Sequence, residues 1–317
     1  LRLRRRGGEP RMSLPEPLPP AAPAVEAADA AETQARAPLS WSRIFWQRFR
    51  RNRLAVAGMV VLLILYGAMA FASQLAPYDP NQLLVGPTNA GPSAEHWMGT
   101  DHLGRDLFSR VLAASRVSLN IGLLVAVVSV GIGTAVGAVA GYFGGWVDEV
   151  LMRFTEVIMT FPFLFLAITV VALFGAGFWT IVVVLGVLSW TPIARIVRAS
   201  FLSLREREFV EGARAIGVPA WRIVTRHLLP NSLAPIIVFA TLVVGAAILA
   251  ESSLSYLGLG VQPPATSWGQ LLYDGKQYMQ TNLWYTFFPG LMIFITVMAI
   301  NFVGDGLRDA LDPRLKE

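Results

Sequence analysis

The feature that most constrains this chain is a series of apolar runs, each long enough to cross a lipid bilayer. They fall at about residues 54–75, 118–141, 151–174, 178–199, 232–250 and 284–304. A helix needs roughly 20 mainly apolar residues to cross the hydrocarbon core, and its backbone polar groups must be satisfied within the segment. Composition agrees, with 54% hydrophobic and 15% charged residues and a mean hydropathy of +0.53. Soluble domains carry about 25% charged residues. The expected fold class is therefore all-α, a polytopic membrane protein with six transmembrane helices.

Charge placement gives an expected orientation. Arg43, Arg48, Arg50, Arg51 and Arg53 flank the start of the first run, and Asp79 lies beyond its far end. Positive charge collects on the cytoplasmic side, so the N-terminus is expected there. Six crossings return the C-terminus, with Arg308, Arg314 and Lys316, to the same side. The segment 200–231, carrying Arg205, Arg207, Arg214, Arg222 and Arg226, is then a cytoplasmic loop, and 76–117 and 251–283 are external. The net charge of +5 is mostly arginine between spans. No basic patch interleaves with exposed aromatics, so nucleic acid is not an expected partner. With no cysteine in the chain, disulfides and thiolate metal sites are excluded.

Residues 1–40 are rich in Pro, Ala and Glu and are expected to be a disordered tail. Met12 is a candidate start, and the prolines at 15, 17, 19 and 20 argue against a signal peptide. From Trp41 an amphipathic helix alternating aromatics with arginines is expected to lie at the membrane interface. In the second run, Gly133, Gly137 and Gly141 recur every fourth residue, a face suited to close approach by another helix.

The loop at 200–231 reads as helix, turn, helix. Phe209, Ala213 and Ile216 follow helical spacing, with Arg207, Glu208, Glu211 and Arg214 elsewhere on the circumference. Gly217 stands where a left-handed cap would end the first helix, followed by Pro219. A second helix from Ala220 to Leu229 is expected to place Trp221, Val224 and Leu228 on one side, and Pro230 to close it. Two readings stand: a hairpin lying on lipid, or, because Gly212 and Ala213 are small, a surface for a partner's groove.

The spacing Glu211-Gly212-Ala213, Gly217, Leu229-Pro230 resembles the loop signature of membrane subunits of bacterial ATP-binding-cassette (ABC) importers. Gly212 replaces the usual alanine, and His227 replaces the usual isoleucine. The stretches 99–110, 257–264 with 267–269, and 304–314 resemble the dipeptide, oligopeptide and nickel branch, specifically the second permease of its pair. The resemblance implies a type I ABC importer-like permease fold in the bacterial inner membrane. It implies half of a translocation pathway for dipeptides, oligopeptides or related small solutes. The implied partners are a second permease, two ATPase subunits that bind ATP and Mg, and an external substrate-binding protein, with lipid around the spans. The resulting division is a tail at 1–40, an interfacial helix with the first span and external segment at 41–116, a permease domain at 117–310, and a C-terminal tail at 311–317. The residues assigned to ATPase docking are Phe209, Glu211, Gly212, Ala213, Ile216, Gly217, Trp221, Leu229 and Pro230.

The chain itself is not expected to be an enzyme or to hold a cofactor. A phosphate-binding loop needs Gly-x-x-x-x-Gly-Lys-Ser/Thr, and neither Lys276 nor Lys316 has that context. Intramembrane ionisable groups are functional candidates. Glu156 has Arg153 three residues earlier and reads as a structural bridge. Glu251 either lines the path, faces the binding protein, or is a solvated helix end. Trp190 and Thr191, before Pro192, are further pathway candidates, with a packed aromatic at a kink preferred. His96, His102 and His227 do not have metal-ligand spacing, and Asp101, Asp106, Asp148 and Glu149 read as solvated loop charges. A secondary transporter working without an ATPase is the alternative. It would carry paired broken spans with buried acids near the midplane.

Overall fold

A computed structural model describes residues 41–311. The expected tail at 1–40, Met12, Arg314 and Lys316 lie outside the described residues. Helix α1 (Trp41–Arg51) ends in Arg48, Arg50 and Arg51, cations that suit the negative end of the helix dipole. Phe49 on this helix is buried against Ala55 and Ala310. Asn52 then caps α2 (Arg53–Ala70): its side chain accepts a hydrogen bond from the Ala55 N–H at 3.1 Å and donates one to Asp309 at 3.2 Å. A short α3 (Ala72–Leu75) leads into an irregular segment.

Helix α4 (Leu107–Phe143) begins well before the expected boundary at 118. Its 37 residues span about 55 Å, against a hydrocarbon core of about 30 Å. The early start is set by Asp106, whose carboxylate accepts from the Ser109 N–H at 2.8 Å, a favourable N-cap. The added turns carry Arg110 and Arg116 among apolar residues, and most of their side chains, Leu107, Val111, Leu112 and Ala114 included, are buried in the protein.

The third apolar run is not one helix. It forms α5 (Gly145–Thr160) and α6 (Phe163–Phe174), bent by 84°. Phe161 is extended, with φ −80° and ψ 134°. Pro162 forces this, because proline disfavours helical geometry in the preceding residue and has no N–H of its own to continue the ladder. The fourth run holds as one span, Phe178–Leu204, interrupted at Ser189 and Trp190 between α7 (Phe178–Leu188) and α8 (Thr191–Leu204). The glycine face of α4 packs on α8. A Cβ at Gly133 would lie 2.7 Å from Ile193 Cβ, at Gly137 2.4 Å from the Ala194 carbonyl oxygen, and at Gly141 2.6 Å from Phe201 Cβ.

The loop follows as α9 (Glu208–Ala215), α10 (Ala220–Ile223), a π-helical turn at Val224–Leu228 and α11 (Leu229–Asn231). Helix α12 (Leu233–Tyr256) carries Glu251 inside it rather than at its end. Beyond it, α13 (Trp268–Gly275) and a 3₁₀ turn (Lys276–Tyr278) precede the last span, α14 (Trp284–Leu311). Five helices are long and apolar enough to cross a membrane, six crossings if the bent pair counts as one. The described residues contain no strand; one antiparallel bridge pairs Thr100 with Asp106.

Helix α4 is the central element, packed against α7, α8 and α12, while α14 packs against α2 and α12. Helix α13 folds back over this bundle. Trp268 on it is fully buried and its indole N–H donates to the Val111 carbonyl at 3.1 Å.

Candidate functional site

Three regions bear on function: the loop between α8 and α12, a cavity at the helix breaks, and a polar cluster at the opposite end of α4. In the loop, Gly217 has φ +77°. Its N–H donates to the Arg214 carbonyl at 3.0 Å, and the Val218 N–H donates to the Ala213 carbonyl at 3.0 Å. This pair is a Schellman cap, which favours glycine because a side chain is strained at that φ. The chain restarts at Pro219. Pro230 does not close the second helix as expected. The backbone widens into the π turn, where the Leu229 N–H reaches the Val224 carbonyl, and then runs on through α11 into α12. Widening of this kind absorbs a proline that cannot donate to the preceding turn.

The apolar residues of the loop divide between two directions. Val210, Ala213, Ile223 and Leu228 are buried in the main core, whereas Phe209, Ile216 and Trp221 are 45%, 82% and 67% exposed. Ala213 therefore anchors the loop to the bundle and is not a presented contact. Likewise Trp221 and Leu228 do not share a face, because Leu228 turns inward through the π turn. Glu211 and Gly212 are exposed, and a Cβ at Gly212 would meet nothing within 4 Å. Leu229 is partly buried and Pro230 exposed. The His227 ring lies 6.4 Å from that of Phe209 and joins the two loop helices. Glu211 also lines an open cleft of about 510 Å³ with Arg205, Arg214 and Tyr142. The Arg214 guanidinium sits 5.2 Å from the Tyr142 ring centre. Exposed large apolar side chains ringed by charge are the composition of a protein-docking surface.

The cavity has a volume of about 570 Å³ and opens where the third and fourth runs break. Its walls include Met159, Phe161, Pro162, Thr191, Phe239 and Val243. Of the pathway candidates, Thr191 lines it. Trp190 is buried and packs on Phe154, with ring centres 6.4 Å apart. Glu251 does not reach it. That carboxyl is fully buried, accepts from Ser255 Oγ at 2.6 Å and from Ser252 Oγ at 3.4 Å, and is neither a solvated helix end nor an exposed wall. Arg153 and Glu156 do pair, at 3.2 Å, on an exposed face of α5.

At the far end, the expectation of solvated carboxylates is overturned for Asp101 and Asp106. Asp101 is fully buried. It accepts from the Leu103 and Arg105 N–H groups at 2.8 and 3.0 Å, from Arg105 Nε at 2.6 Å and from Arg110 Nη1 at 2.7 Å. Burial pushes its pKa up, but Arg110 and the Arg105 contacts outweigh that and hold it below the ordinary carboxylate value. Arg110 also donates to Tyr285 at 3.0 Å and reaches Asp274 at 3.5 Å. Asp106 bonds His96 Nδ1 at 2.9 Å and Ser109 Oγ at 2.7 Å. Gly99 permits this knot: at φ +83° it passes so close to Ala90 that a Cβ would lie 2.3 Å from its carbonyl oxygen. His102 stacks on Tyr278, and its burial lowers its pKa. At the loop end Asp148 also differs from expectation, because it pairs with Arg198 through both Nε and Nη2. No group of three or more metal-ligating side chains converges among the described residues.

Comparison with known proteins adds to this geometry. Residues 133–317 match the family described as the binding-protein-dependent transport system inner membrane component. Residues 40–92 match the N-terminal transmembrane domain of oligopeptide transport permease C. The glutathione transport system permease protein GsiD of Pectobacterium atrosepticum is 44% identical, over 86% of this chain and 91% of its own length. The dipeptide transport system permease protein DppC of Bacillus subtilis is 42% identical, over 90% of each. In fold, the chain is similar to a chain of the inward-facing MetNI methionine ABC transporter. The TM-score is 0.52 at 22% identity, covering 65% of this chain and 97% of that one.

Proposed function

The chain belongs to the binding-protein-dependent transport system inner membrane component family, and from that premise we propose how it works. It is a multi-pass membrane permease subunit of an ABC importer of the peptide branch, and its relatives are transport permeases rather than enzymes. The finer reading is ours. The solutes are dipeptides, oligopeptides or related small molecules such as glutathione. The membrane is the bacterial inner membrane, with both termini and the loop on the cytoplasmic side. The partners are a second permease, two ATPase subunits that bind ATP and Mg, and an external binding protein. This chain contributes no cofactor.

The observation that carries this reading is the pairing of two segments, 40–92 and 133–317, with successive parts of one permease type. The loop supplies its physical counterpart. Phe209, Ile216 and Trp221 keep much of their apolar surface exposed, and burying the rest of each in a partner groove would supply up to about 1.5–3 kcal/mol. ATP shifts the permease only as far as docking differs between the two states of the transporter. Binding-induced movement of α9–α11 passes to the spans because Val210, Ala213, Ile223 and Leu228 fix the loop to the core.

The test is Glu211→Arg on the exposed face of α9. The expected result is a folded, inserted chain that still co-purifies with the second permease but recovers little ATPase and little uptake. Normal ATPase recovery with normal uptake would sink the docking assignment. A secondary transporter would take up solute with no ATPase present, and the same purification distinguishes it.

A further inference from the structure

The cavity at the helix breaks is almost wholly apolar, yet one unneutralised cation stands at its mouth. Arg195 lies on α8 four residues after Thr191, so the two share a helix face, and Thr191 lines the cavity. The Arg195 side chain is exposed. Its Nη1 approaches Met159 Sδ at 3.7 Å, and Met159 is another cavity wall. Among the described residues Arg195 makes no ion pair with a carboxylate. The acid on the neighbouring face of α5, Glu156, is already matched by Arg153 at 3.2 Å. Glu156 is thus already engaged, and the charge on Arg195 beside the cavity wall is left over.

An arginine within a span is costly against lipid, so it faces protein, water or a solute path. Here it lies within Phe178–Leu204, nine positions before the end of that helix, or about 14 Å along the axis. Nearer that end, Arg198 is satisfied by Asp148. The protein thus neutralises the arginine next to Arg195 and leaves Arg195, beside the cavity, unmatched.

We propose that Arg195 is an anion subsite at the loop-side mouth of the translocation cavity and receives the carboxylate of the transported solute. It rests on the importer reading above and names the group of the solute that the pathway recognises. Arginine suits the task because its planar fork meets a carboxylate through two parallel N–H donors. The apolar walls from Met159 to Val243 then accept side chains without selecting among them. A single charged contact beside such walls holds a solute by its invariant end and still lets it leave.

The experiment uses the whole importer in vesicles, with both permeases, the ATPases and the binding protein, and two probes: dialanine and dialanine amide. Arg195→Gln is expected to cut import of the free acid about tenfold, the effect of one charge-assisted hydrogen-bonded contact, and that of the amide less than about twofold. Arg195→Lys, which keeps the charge but loses the two-donor fork, should leave free-acid import between that of the parent and that of Arg195→Gln. Because the chain has no cysteine, Arg195→Cys supplies a second measurement. In the assembled importer that thiol should react with a water-soluble maleimide, and dialanine should slow the reaction. Equal loss of both probes, or no loss, overturns the proposal. So does an unreactive thiol in an importer from which Arg195→Gln expels the second permease, since the cation then pairs with protein. A parent importer that moves neither probe overturns the peptide reading and this one with it.

Discussion

The cluster around Asp101 and the loop around Glu211 sit at opposite ends of the bundle and treat their polar and apolar groups in opposite ways. Around Asp101 the charges are answered, with Asp101, Asp106 and Arg110 buried: Arg105 and Arg110 hold Asp101, His96 and Ser109 hold Asp106, and Tyr285 and Asp274 complete Arg110. Around Glu211 the large apolar side chains stand in solvent and the charges rim them. The first region answers its charges within this chain. The second has the composition of an interface whose other half is elsewhere. Substitutions at the two ends should accordingly fail in different assays, one in stability and the other in assembly.

The largest expected effect is at the Asp101 end. Asp101→Ala removes the nearer carboxylate from the buried Arg110 and leaves it Tyr285 at 3.0 Å and the partly exposed Asp274 at 3.5 Å, and breaking a buried pair costs about 3–5 kcal/mol. Thermal unfolding in detergent should show it, along with early proteolysis within 76–106; an unchanged unfolding temperature would remove the contrast. Trp221→Ala comes next and acts only on assembly. It should weaken ATPase binding by about 10- to 150-fold, the equivalent of about 1.5–3 kcal/mol of burial, with no change in unfolding temperature.

Titration sharpens the comparison further. His102 and Asp101 both have lowered pKa values, so each contributes stability above its unfolded pKa that is lost as pH falls through its folded value. His102 begins to lose its share below about pH 6.5, and Asp101 below about pH 3.9. Unfolding temperature against pH should therefore fall in two steps, and His102→Gln should abolish the upper one alone. A single step that survives that substitution would mean that His102 does not couple to the cluster around Asp101. The smallest effect is at the loop. Gly212→Ala meets open space, so it should raise stability by up to about 1 kcal/mol through helix propensity and leave ATPase recovery intact.

Much of the fold was legible because membrane spans are written in apolar length, and the glycines at 133, 137 and 141 announced a close helix contact through their spacing. The 84° bend was written in Pro162, but the apolar run continues through it, so length masked the break. The knot around Asp101 was harder to read, because its partners stand at 105, 110, 274 and 285 and only the fold brings them together. Gly99 and Gly104 in the same stretch were the local sign that the backbone there was tightly constrained. In the loop, periodicity found the helix and its glycine cap but assigned Ala213 to the wrong side. An eight-residue helix with apolar residues at 209, 210 and 213, capped by Ile216, has two apolar edges, and only the bundle decides which one is covered.

The central claim is that Phe209, Ile216 and Trp221 are exposed because an ATPase covers them, and it is tested most directly by replacing Ile216 and Trp221 together with serine. The measurement is co-purification of the ATPase and of the second permease from the same membranes, alongside the unfolding temperature of the chain. The account predicts an unchanged unfolding temperature, a retained second permease and a lost ATPase. Recovery of the ATPase at the level of the parent chain would contradict it.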